Sequence, residues 1–260
     1  MAGDLQGKRV VVTGGTKGIG VGIVRDLTSS GARVVFCGRD ENAGEQLAGE
    51  LENARFVRAD IGRVTDCEKM IRRAVELLGG LDGLVNNAGI FPRSALVDET
   101  EEQYDRIFAV DIKGPFFCCK YAIGAMDLEG GGSIVNMGST HGYGGMYALA
   151  AYACAKGALK TLTQHVARNY ARTRIRCNWV TVGWVATDGE MALRQAQGQG
   201  IEWLEEQGRR IIPLGRMQTT QDMADTVRFL LSDASAMVTG AEIPVTGGLR
   251  LEYGPSEMEP

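Results

Sequence analysis

Several features are scarce in this sequence, and each scarcity excludes a class of protein. Only two histidines are present, His141 and His165, so a histidine-rich metal site is excluded and we predict no metal ligands. The 28 lysines and arginines are fewer than the 32 aspartates and glutamates, and the net charge of −4 lacks the basic excess typical of nucleic-acid-binding proteins. No apolar run approaches the ~18 residues of a membrane span. We therefore expect neither a nucleic-acid nor a membrane partner.

The six cysteines lack the spacing of a metal or redox site. No two of them form a C-x-x-C pair, and most lie in apolar strand or helix patterns. We therefore predict buried, reduced thiols at Cys37, Cys67, Cys118, Cys119, Cys154 and Cys177. The first residues also lack the pattern of a signal peptide, which makes a cytoplasmic location the default expectation.

No proline- or serine-rich linker and no internal repeat divides the chain. Its 260 residues could form one domain or two on length alone, and the 44% of hydrophobic residues is enough for a sizeable core. Because strand and helix patterns alternate throughout, we predict a single domain over residues 1–260.

The alternating patterns predict the fold class. Predicted strands lie near 8–13, 33–37, 54–58, 83–86, 132–137, 174–180 and 241–245. Predicted helices lie near 18–29, 41–52, 64–78, 101–125, 152–170 and 219–231. This order predicts an α/β fold of the Rossmann type, with a doubly wound parallel sheet of about seven strands and helices on both faces. Ligands of such sheets bind beyond the carboxyl ends of the strands.

A glycine-rich loop follows the first predicted strand. Gly14, Gly18 and Gly20 lie between that strand and a helical pattern. Glycines let the backbone approach a pyrophosphate, and the helix N-terminus offers unpaired N–H groups and a positive dipole end. The spacing differs from the common Gly-x-Gly-x-x-Gly fingerprint. Alone, the loop is weak evidence, and an ordinary β–α turn is the alternative.

A second group of residues indicates proton transfer. Tyr152 and Lys156 are four residues apart, which places them on one face of a helix. A free phenol, with a pKa of about 10, is a poor base near neutral pH, and a nearby ammonium lowers that pKa. Ser139 ends an apolar run and is suited to hold a substrate oxygen beside the phenol. Such a trio can serve as the acid/base of a C–OH/C=O pair, provided that a cofactor carries the hydride.

Together, these motifs resemble those of the classical short-chain dehydrogenase/reductase family. The matching segments are residues 13–20 (Thr-Gly-Gly-Thr-Lys-Gly-Ile-Gly), 86–89 (Asn-Asn-Ala-Gly), Ser139, 152–156 (Tyr-Ala-Cys-Ala-Lys) and 182–187 (Val-Gly-Trp-Val-Ala-Thr). They follow the family's order and extend over nearly the whole chain. The resemblance implies an oxidoreductase that moves a hydride between a nicotinamide cofactor and a CH–OH group.

The resemblance also implies a role for each matching residue. Tyr152 is expected to be the general acid/base, Ser139 to bind the substrate oxygen, and Lys156 to bind the nicotinamide ribose and lower the Tyr152 pKa. Asn86 and Ala88 are expected to line the cofactor cleft. The expected cofactor contacts are Gly14, Thr16, Lys17, Gly18, Ile19, Gly20, Arg39, Asp60, Ile61, Asn87, Ala88, Gly89, Tyr152, Lys156, Val185 and Thr187.

Two positions depart from the family's pattern. The family usually has an asparagine that completes a proton relay behind the lysine, and the matching residue here is Asp111. A carboxylate there can pair with Lys156 and change the response of the relay to pH. We keep Asp111 among the expected catalytic residues. Val182 stands where the family has proline, and since Gly183 is retained we expect a small effect.

The end of the second strand bears on the choice of cofactor. By resemblance, the acidic position that binds the ribose 2′-OH of NAD is Gly38 here, and Arg39 follows it. Arg39 can bind a 2′-phosphate through two hydrogen bonds, and Lys17 adds positive charge. NADP is therefore the favoured cofactor. NAD is the alternative, in which Arg39 stacks on the adenine and Asp40 turns inward.

The substrate is expected to contact loops that follow the strands. The candidate contacts are Arg93 and His141, which suit a carboxylate, sulfonate or polyol, and Trp184, which suits an apolar ring. The alternatives are a solvated arginine or histidine and a tryptophan at an interface. A glycine- and glutamine-containing segment at about 188–210 is predicted to be a mobile substrate lid, with a surface helix as the alternative.

We predict a small polar alcohol or ketone as the substrate, such as a sugar, polyol or hydroxy acid. A steroid-like or cyclic ketone is the alternative. A catalytically inactive nicotinamide-binding sensor or scaffold is the alternative of another class, which Asp111 favours and the intact Ser139, Tyr152 and Lys156 oppose. The resemblance also implies a homotetramer, with the helices that carry Asp111 and Tyr152 at one interface.

Overall fold

The computed structural model of the protein describes residues 4–126 and 130–249. Within these residues, seven strands form one parallel sheet in the order β3-β2-β1-β4-β5-β6-β7. The strands are β1 (Arg9–Val12), β2 (Arg33–Gly38), β3 (Ala54–Arg58), β4 (Gly83–Asn86), β5 (Gly132–Met137), β6 (Ile175–Val182) and β7 (Glu242–Val245). The α-helices are α1 (Gly18–Ser29), α2 (Glu41–Glu50), α3 (Val64–Leu78), α4 (Glu101–Phe108), α5 (Gly114–Ala125), α6 (Ala150–Tyr170), α7 (Asp188–Ala196), α8 (Ile201–Ile211) and α9 (Thr220–Leu231).

Helices cover both faces of the sheet because successive side chains of a strand point to opposite sides. Val10 and Val12 of β1 lie in one buried cluster together with Ile23 of α1. Val11, between them, lies in a second cluster with Met70 of α3. Helices α1 and α9 contribute to the first cluster, and α3, α5 and α6 contribute to the second. The parallel sheet and its two cores confirm the predicted doubly wound Rossmann fold.

The strand order reverses at β1, which pairs with both β2 and β4. The chain runs outward through β2 and β3 and then crosses to β4 on the other side of β1. In open parallel sheets, such a switch point opens a crevice at the carboxyl ends of the strands, where ligands bind. The segments that follow β1, β4, β5 and β6 carry the candidate site residues, and they therefore lie at the same edge of the sheet.

The helix predicted over 101–125 has the observed outer bounds, but it contains a π-helical turn that the sequence did not predict. Helix α4 ends at Phe108, a π-helical turn covers Ala109–Lys113, and α5 begins at Gly114. Pro115, in the first turn of α5, has no N–H to donate to the Asp111 carbonyl four residues earlier. The α-helical hydrogen-bond pattern is therefore broken there, and the wider turn takes its place. This turn carries Asp111.

The predicted lid segment contains two helices, α7 and α8. Thr187 caps α7, because its hydroxyl accepts a hydrogen bond from the Glu190 N–H at 3.2 Å. Between the helices, Gly198 has a φ of +73°, a conformation that glycine adopts without strain. A surface helix was the alternative to a mobile loop, and the segment is helical on both sides of this glycine. Its closure over a substrate stays a prediction.

All six cysteines are free thiols, and five of them are buried as predicted. Cys154 is the exception, since it is exposed on α6. It lies two residues from both Tyr152 and Lys156, so it points away from the face that these two share. In the described part of the chain, no helix combines the length and the apolar character needed to cross a bilayer.

Candidate active site

The glycine loop after β1 turns tightly against the residues that follow β4. Gly14 has a φ of +66°, in the left-handed region that favours glycine. A Cβ at Gly14 would lie 2.7 Å from the Ala88 Cα, and a Cβ at Gly20 would overlap the Gly14 carbonyl oxygen. The loop therefore has to be bare of side chains at these points, which is the shape that a pyrophosphate needs.

Hydrogen bonds tie this loop to the Asn-Asn-Ala-Gly segment. The Thr13 hydroxyl accepts hydrogen bonds from the backbone N–H of Asn87 (3.0 Å) and from that of the following residue (3.1 Å). The Asn87 side chain donates to the carbonyls of Thr13 and Gly14, both at 3.0 Å. Asn86, which was expected to line the cleft, is buried and donates to Asn136 at 2.8 Å. The shape of the crevice therefore depends on Asn87, and Asn86 belongs to the core beneath it.

Helix α1 begins where the glycine loop ends. Its N-cap residue, Lys17, makes no capping hydrogen bond, because a lysine side chain has no acceptor. The first-turn N–H groups at Gly18 and Ile19 and the positive end of the helix dipole therefore favour an anion. Thr187 approaches from the segment after β6, since a Cβ at Gly18 would lie 3.4 Å from its methyl carbon.

The residues expected to contact the adenosine lie at the ends of β2 and β3. Gly38 faces Thr16, because a Cβ at Gly38 would lie 2.6 Å from the Thr16 hydroxyl oxygen. Asp40 accepts a hydrogen bond from a backbone N–H in the first turn of α2 (3.1 Å) and pairs with Lys17 (3.2 Å), and both contacts lower its pKa. Arg39 is exposed and forms no hydrogen bond or ion pair with another described residue. Its guanidinium is therefore available to a ligand, whereas Asp40 is engaged.

Asp60 and Ile61 follow β3. Asp60 accepts a hydrogen bond from the Gly62 N–H at 3.0 Å, and its own N–H donates to Asp66 at 3.1 Å. These bonds hold the turn between β3 and α3. The Ile61 side chain is buried in the core, so only its backbone is suited to meet a ligand.

Ser139, Tyr152 and Lys156 meet beyond the end of β5. The Lys156 ammonium donates to the Met137 carbonyl at 3.1 Å and lies 5.5 Å from the centre of the Tyr152 ring. The Ser139 hydroxyl oxygen accepts a hydrogen bond from the His141 N–H at 3.1 Å, which leaves its proton free to be donated. Hydrogen bonding between Ser139 and Tyr152 lowers the pKa of the phenol. The structure thus brings the three predicted residues together.

Asp111 reaches the same place from the π-helical turn. It is fully buried, and its Oδ1 lies 3.3 Å from the Lys156 Nζ. Its Oδ2 accepts a hydrogen bond from the Ile90 N–H at 2.9 Å. Gly89 permits this approach, because a Cβ there would lie 2.7 Å from the Asp111 Oδ1. Backbone groups such as the Ile90 N–H and the Met137 carbonyl complete the site, and no residue pattern in the sequence indicates them.

Burial dominates the electrostatics of this group. The pKa of Tyr152 is raised, because burial raises it most, Lys156 lowers it and Asp111 raises it again. The lowering effect predicted for Lys156 is therefore present, and burial outweighs it. Burial also raises the pKa of Asp111, and the positive charge of Lys156 opposes that shift. Burial lowers the pKa of Lys156, but the negative charges of Tyr152 and Asp111 raise it by more.

Two further rings flank Tyr152. The ring centres of His141 and Phe91 lie 6.1 Å and 5.9 Å from that of Tyr152, and both contacts are edge-to-face. Burial lowers the pKa of His141, and the positive charge of nearby Arg93 lowers it further. The structure therefore brings Arg93 and His141 to the reacting end of the crevice. Phe91 was not predicted, and its only signal in the sequence is an aromatic residue just after the Asn-Asn-Ala-Gly segment.

Trp184 is placed differently from the other candidate substrate contacts. Its Nε1 donates to Glu190 at 2.9 Å, and the Arg194 guanidinium lies 5.4 Å from its ring. The Trp203 ring is 6.3 Å away. Trp184 therefore packs against α7 and α8. Val185, next to it, is buried, so its backbone is the part suited to meet a cofactor.

These features define a class of protein. The sheet reverses its order at β1, a bare glycine loop lies at that point, and a tyrosine–lysine pair stands beside it. A dinucleotide-binding α/β protein with a proton-transfer site has this arrangement.

The chain belongs to the short-chain dehydrogenase/reductase family, whose members are oxidoreductases with nicotinamide cofactors. A family model described as enoyl-(acyl carrier protein) reductase matches residues 14–250. Over 255 residues, the chain is 37% identical to 2-(S)-hydroxypropyl-CoM dehydrogenase 3 of Xanthobacter autotrophicus, with 96% of this chain and 99% of that protein covered. It is 35% identical to the L-fucose dehydrogenase of Mus musculus, with 95% of this chain and 90% of that protein covered.

A solved structure is similar over nearly the whole chain. It is the crystal structure of a blue fluorescent protein from a metagenomic library in complex with NADPH. Its TM-score is 0.85 at 32% sequence identity, with 95% of this chain and 99% of that chain covered. The predicted family and Rossmann fold are therefore confirmed, and the relatives support a dehydrogenase that acts on alcohol groups.

Proposed function

We propose that the protein is an NADP-dependent dehydrogenase/reductase that interconverts a small polar alcohol and its ketone or aldehyde. The convergence of Ser139, Tyr152 and Lys156 at the carboxyl edge of the sheet, beside the glycine loop, carries this proposal. A protein that only bound a nicotinamide would not need a proton donor aligned with a lysine and a serine. This opposes the inactive sensor or scaffold.

Residues of the chain donate and accept the proton of the reaction. When bound, the nicotinamide supplies or accepts the hydride at the substrate carbon. In the reduction direction, the Tyr152 phenol gives its proton to the substrate oxygen while the Ser139 hydroxyl holds that oxygen. Lys156, held by the Met137 carbonyl, stabilises the phenolate that remains. Oxidation of the alcohol runs through the same atoms in reverse, with Tyr152 taking the proton.

The residues at the other end of the crevice fit a nicotinamide dinucleotide. The bare surface at Gly14 and the first turn of α1 suit the pyrophosphate. Arg39 is exposed and without a partner among the described residues, so it is suited to bind a 2′-phosphate. Asp40 already caps α2 and pairs with Lys17, which opposes the alternative in which it turns inward to a ribose of NAD. The similar structure in complex with NADPH also supports NADP.

The surroundings of Tyr152 favour a small polar substrate. Arg93 and His141 offer hydrogen-bonding groups near the phenol, and Phe91 offers an apolar edge. The relative named for L-fucose supports a sugar or polyol within this class. We therefore propose a sugar, polyol or hydroxy acid, whose hydroxyl or carboxylate groups would meet Arg93 and His141.

Replacement of the tyrosine hydroxyl tests the proposed function. We expect Tyr152→Phe to abolish turnover with polar alcohols and ketones while NADPH binding, followed by its fluorescence, remains. Tyr170→Phe, on the same helix but at its far end, is the matched control and should keep full turnover. Substantial turnover in Tyr152→Phe would overturn the assignment of Tyr152 as the acid/base.

A further inference from the structure

We propose that Asp111 is a positioning residue that acts through Lys156, and that its buried carboxylate raises the pH at which the site takes a proton from an alcohol. This inference rests on the proposed function, in which Tyr152 is the acid/base. Asp111 itself touches neither the substrate nor the reacting atoms. It acts by fixing the ammonium and by adding a negative charge behind it.

The geometry holds the carboxylate in one orientation. Its Oδ2 accepts the Ile90 N–H at 2.9 Å, which turns its Oδ1 towards the Lys156 Nζ, 3.3 Å away. The backbone at Gly89 closes against that Oδ1, where even a Cβ would come within 2.7 Å. The side chain of Asp111 has no exposed surface, so water does not screen the pair. The electrostatic attraction between the carboxylate and the ammonium is therefore stronger than it would be in an exposed pair at the same distance.

Lys156 is held from three sides. It donates to the Met137 carbonyl at 3.1 Å, faces Asp111 at 3.3 Å and lies 5.5 Å from the centre of the Tyr152 ring. With only 5% of its side chain exposed, Lys156 has no alternative position in water. One ammonium therefore serves two anions once Tyr152 is ionised, the phenolate and the Asp111 carboxylate.

A charge count shows what the carboxylate changes. With a neutral phenol, Lys156 and Asp111 sum to zero, and loss of the phenol proton makes the buried group net negative. With a neutral side chain in place of Asp111, the same step would take the group from net positive to zero. A net charge in a buried site is unfavourable, so Asp111 opposes ionisation of the phenol. The other groups near the phenol are Ser139, His141, whose pKa is lowered by burial, and the positively charged Arg93 beside His141. All three are the same in the wild type and in variants of Asp111, so they do not alter this comparison.

The backbone supports the placement of Asp111. It lies in the π-helical turn Ala109–Lys113, and Pro115 has no N–H for the Asp111 carbonyl. In a regular α-helix without this wide turn, the side chain of residue 111 would point in a different direction around the helix axis. The carboxylate therefore reaches Lys156 because the helix is irregular at this point.

The ionisation of Tyr152 can be measured without a substrate. Protein labelled with ¹³C at the tyrosine Cζ gives one signal for each of the seven tyrosines, and the signal absent from Tyr152→Phe identifies Tyr152. The wild-type midpoint is the reference for the variants. In Asp111→Asn, which keeps the acceptor for the Ile90 N–H, we expect the midpoint to fall by about one pH unit or more. The pH profile of alcohol oxidation should move in the same direction.

Two variants complete the design. Asp105→Asn, on the exposed side of α4, is the matched control and should leave the Tyr152 midpoint unchanged. Asp111→Ser removes the same charge with a smaller side chain, and it should lower the midpoint as Asp111→Asn does. An unchanged midpoint in a folded variant overturns the inference.

The two proposals fail separately. Activity that persists in Tyr152→Phe would remove the proposed function, whatever the titration shows. A Tyr152→Phe variant without activity, together with a Tyr152 midpoint that does not respond to Asp111, would keep the proposed function and remove the inference.

Discussion

Two lysine–aspartate pairs stand at opposite ends of the crevice and have opposite surroundings. The Lys17–Asp40 pair spans 3.2 Å, with side-chain exposures of 77% and 40%. The Lys156–Asp111 pair spans 3.3 Å, with exposures of 5% and 0%. Water and salt screen the first pair, whereas the protein encloses the second. The two distances are nearly equal, so the difference in burial separates the two roles. The exposed pair only joins the glycine loop to the start of α2, whereas the buried pair is proposed to change the pH at which Tyr152 loses its proton.

The largest expected difference between the two lysine–aspartate pairs is in their contribution to the free energy of unfolding. Lys156→Met leaves the Asp111 carboxylate buried without a counter-charge, and we expect the free energy of unfolding to fall by about 3–5 kcal/mol. Denaturant unfolding of the two proteins measures this. Lys17→Met is the matched control, because its partner faces water, and we expect no measurable change in the denaturant midpoint. Equal losses in the two variants would remove the distinction between the pairs.

Cofactor binding tests the proposed role of Arg39, at the exposed end of the crevice near Lys17 and Asp40. Arg39→Ala removes the group proposed to bind the 2′-phosphate, and we expect the Kd for NADPH to rise by about tenfold to a hundredfold, as for a lost charge-assisted hydrogen bond of about 1.5–3 kcal/mol. The Kd for NADH should stay nearly constant, because NADH has no 2′-phosphate. Arg73→Ala, an exposed arginine on α3, serves as the control. Equal weakening for both cofactors would argue against a 2′-phosphate contact.

A glycine-to-alanine change at residue 89 tests how tightly the buried Lys156–Asp111 pair is enclosed. Gly89→Ala would push a methyl group against the Asp111 Oδ1, which lies 2.7 Å from that position. We expect a loss of about 1–3 kcal/mol in the free energy of unfolding, together with reduced turnover because Lys156 is displaced. Gly49→Ala, on α2 with no atom within 4 Å of the new methyl group, should be neutral or stabilising. Thermal melts of the two variants compare the sites directly, and a neutral Gly89→Ala would mean that Asp111 is not tightly enclosed.

The sequence predicted the fold well because the relevant signals are local. Strand and helix periodicities gave elements within a residue or two of those observed in most cases. Parallel strands then bring their carboxyl ends to one edge, so the glycine loop and Ser139 could be assigned to the same crevice although they are far apart in the chain. The bounds of the helix over 101–125 were also predicted, but its π-helical turn was missed because one proline, Pro115, changes the hydrogen bonding without interrupting the helical pattern of side chains.

The electrostatics of the site could not be predicted in the same way. The spacing of Tyr152 and Lys156 correctly indicated an attractive pair, but the net pKa shift depends on burial by residues from several elements. The contact between Asp111 and Lys156 was foreseen by resemblance, whereas its enclosure by Gly89 and Ile90 depends on the backbone. Phe91 and the exposed position of Cys154 likewise follow from tertiary packing, which no local pattern encodes.

The packing of Trp184 against α7 and α8 gives the protein a built-in optical reporter. The chain has three tryptophans, and Trp179 is fully buried in β6. The other two, Trp184 and Trp203, lie 6.3 Å apart with the Arg194 guanidinium within 5.4 Å of each ring. Any displacement of these helices changes the polarity and the nearby positive charge around two of the three emitters. Movement of the segment can therefore be followed by intrinsic fluorescence, without a label and during turnover.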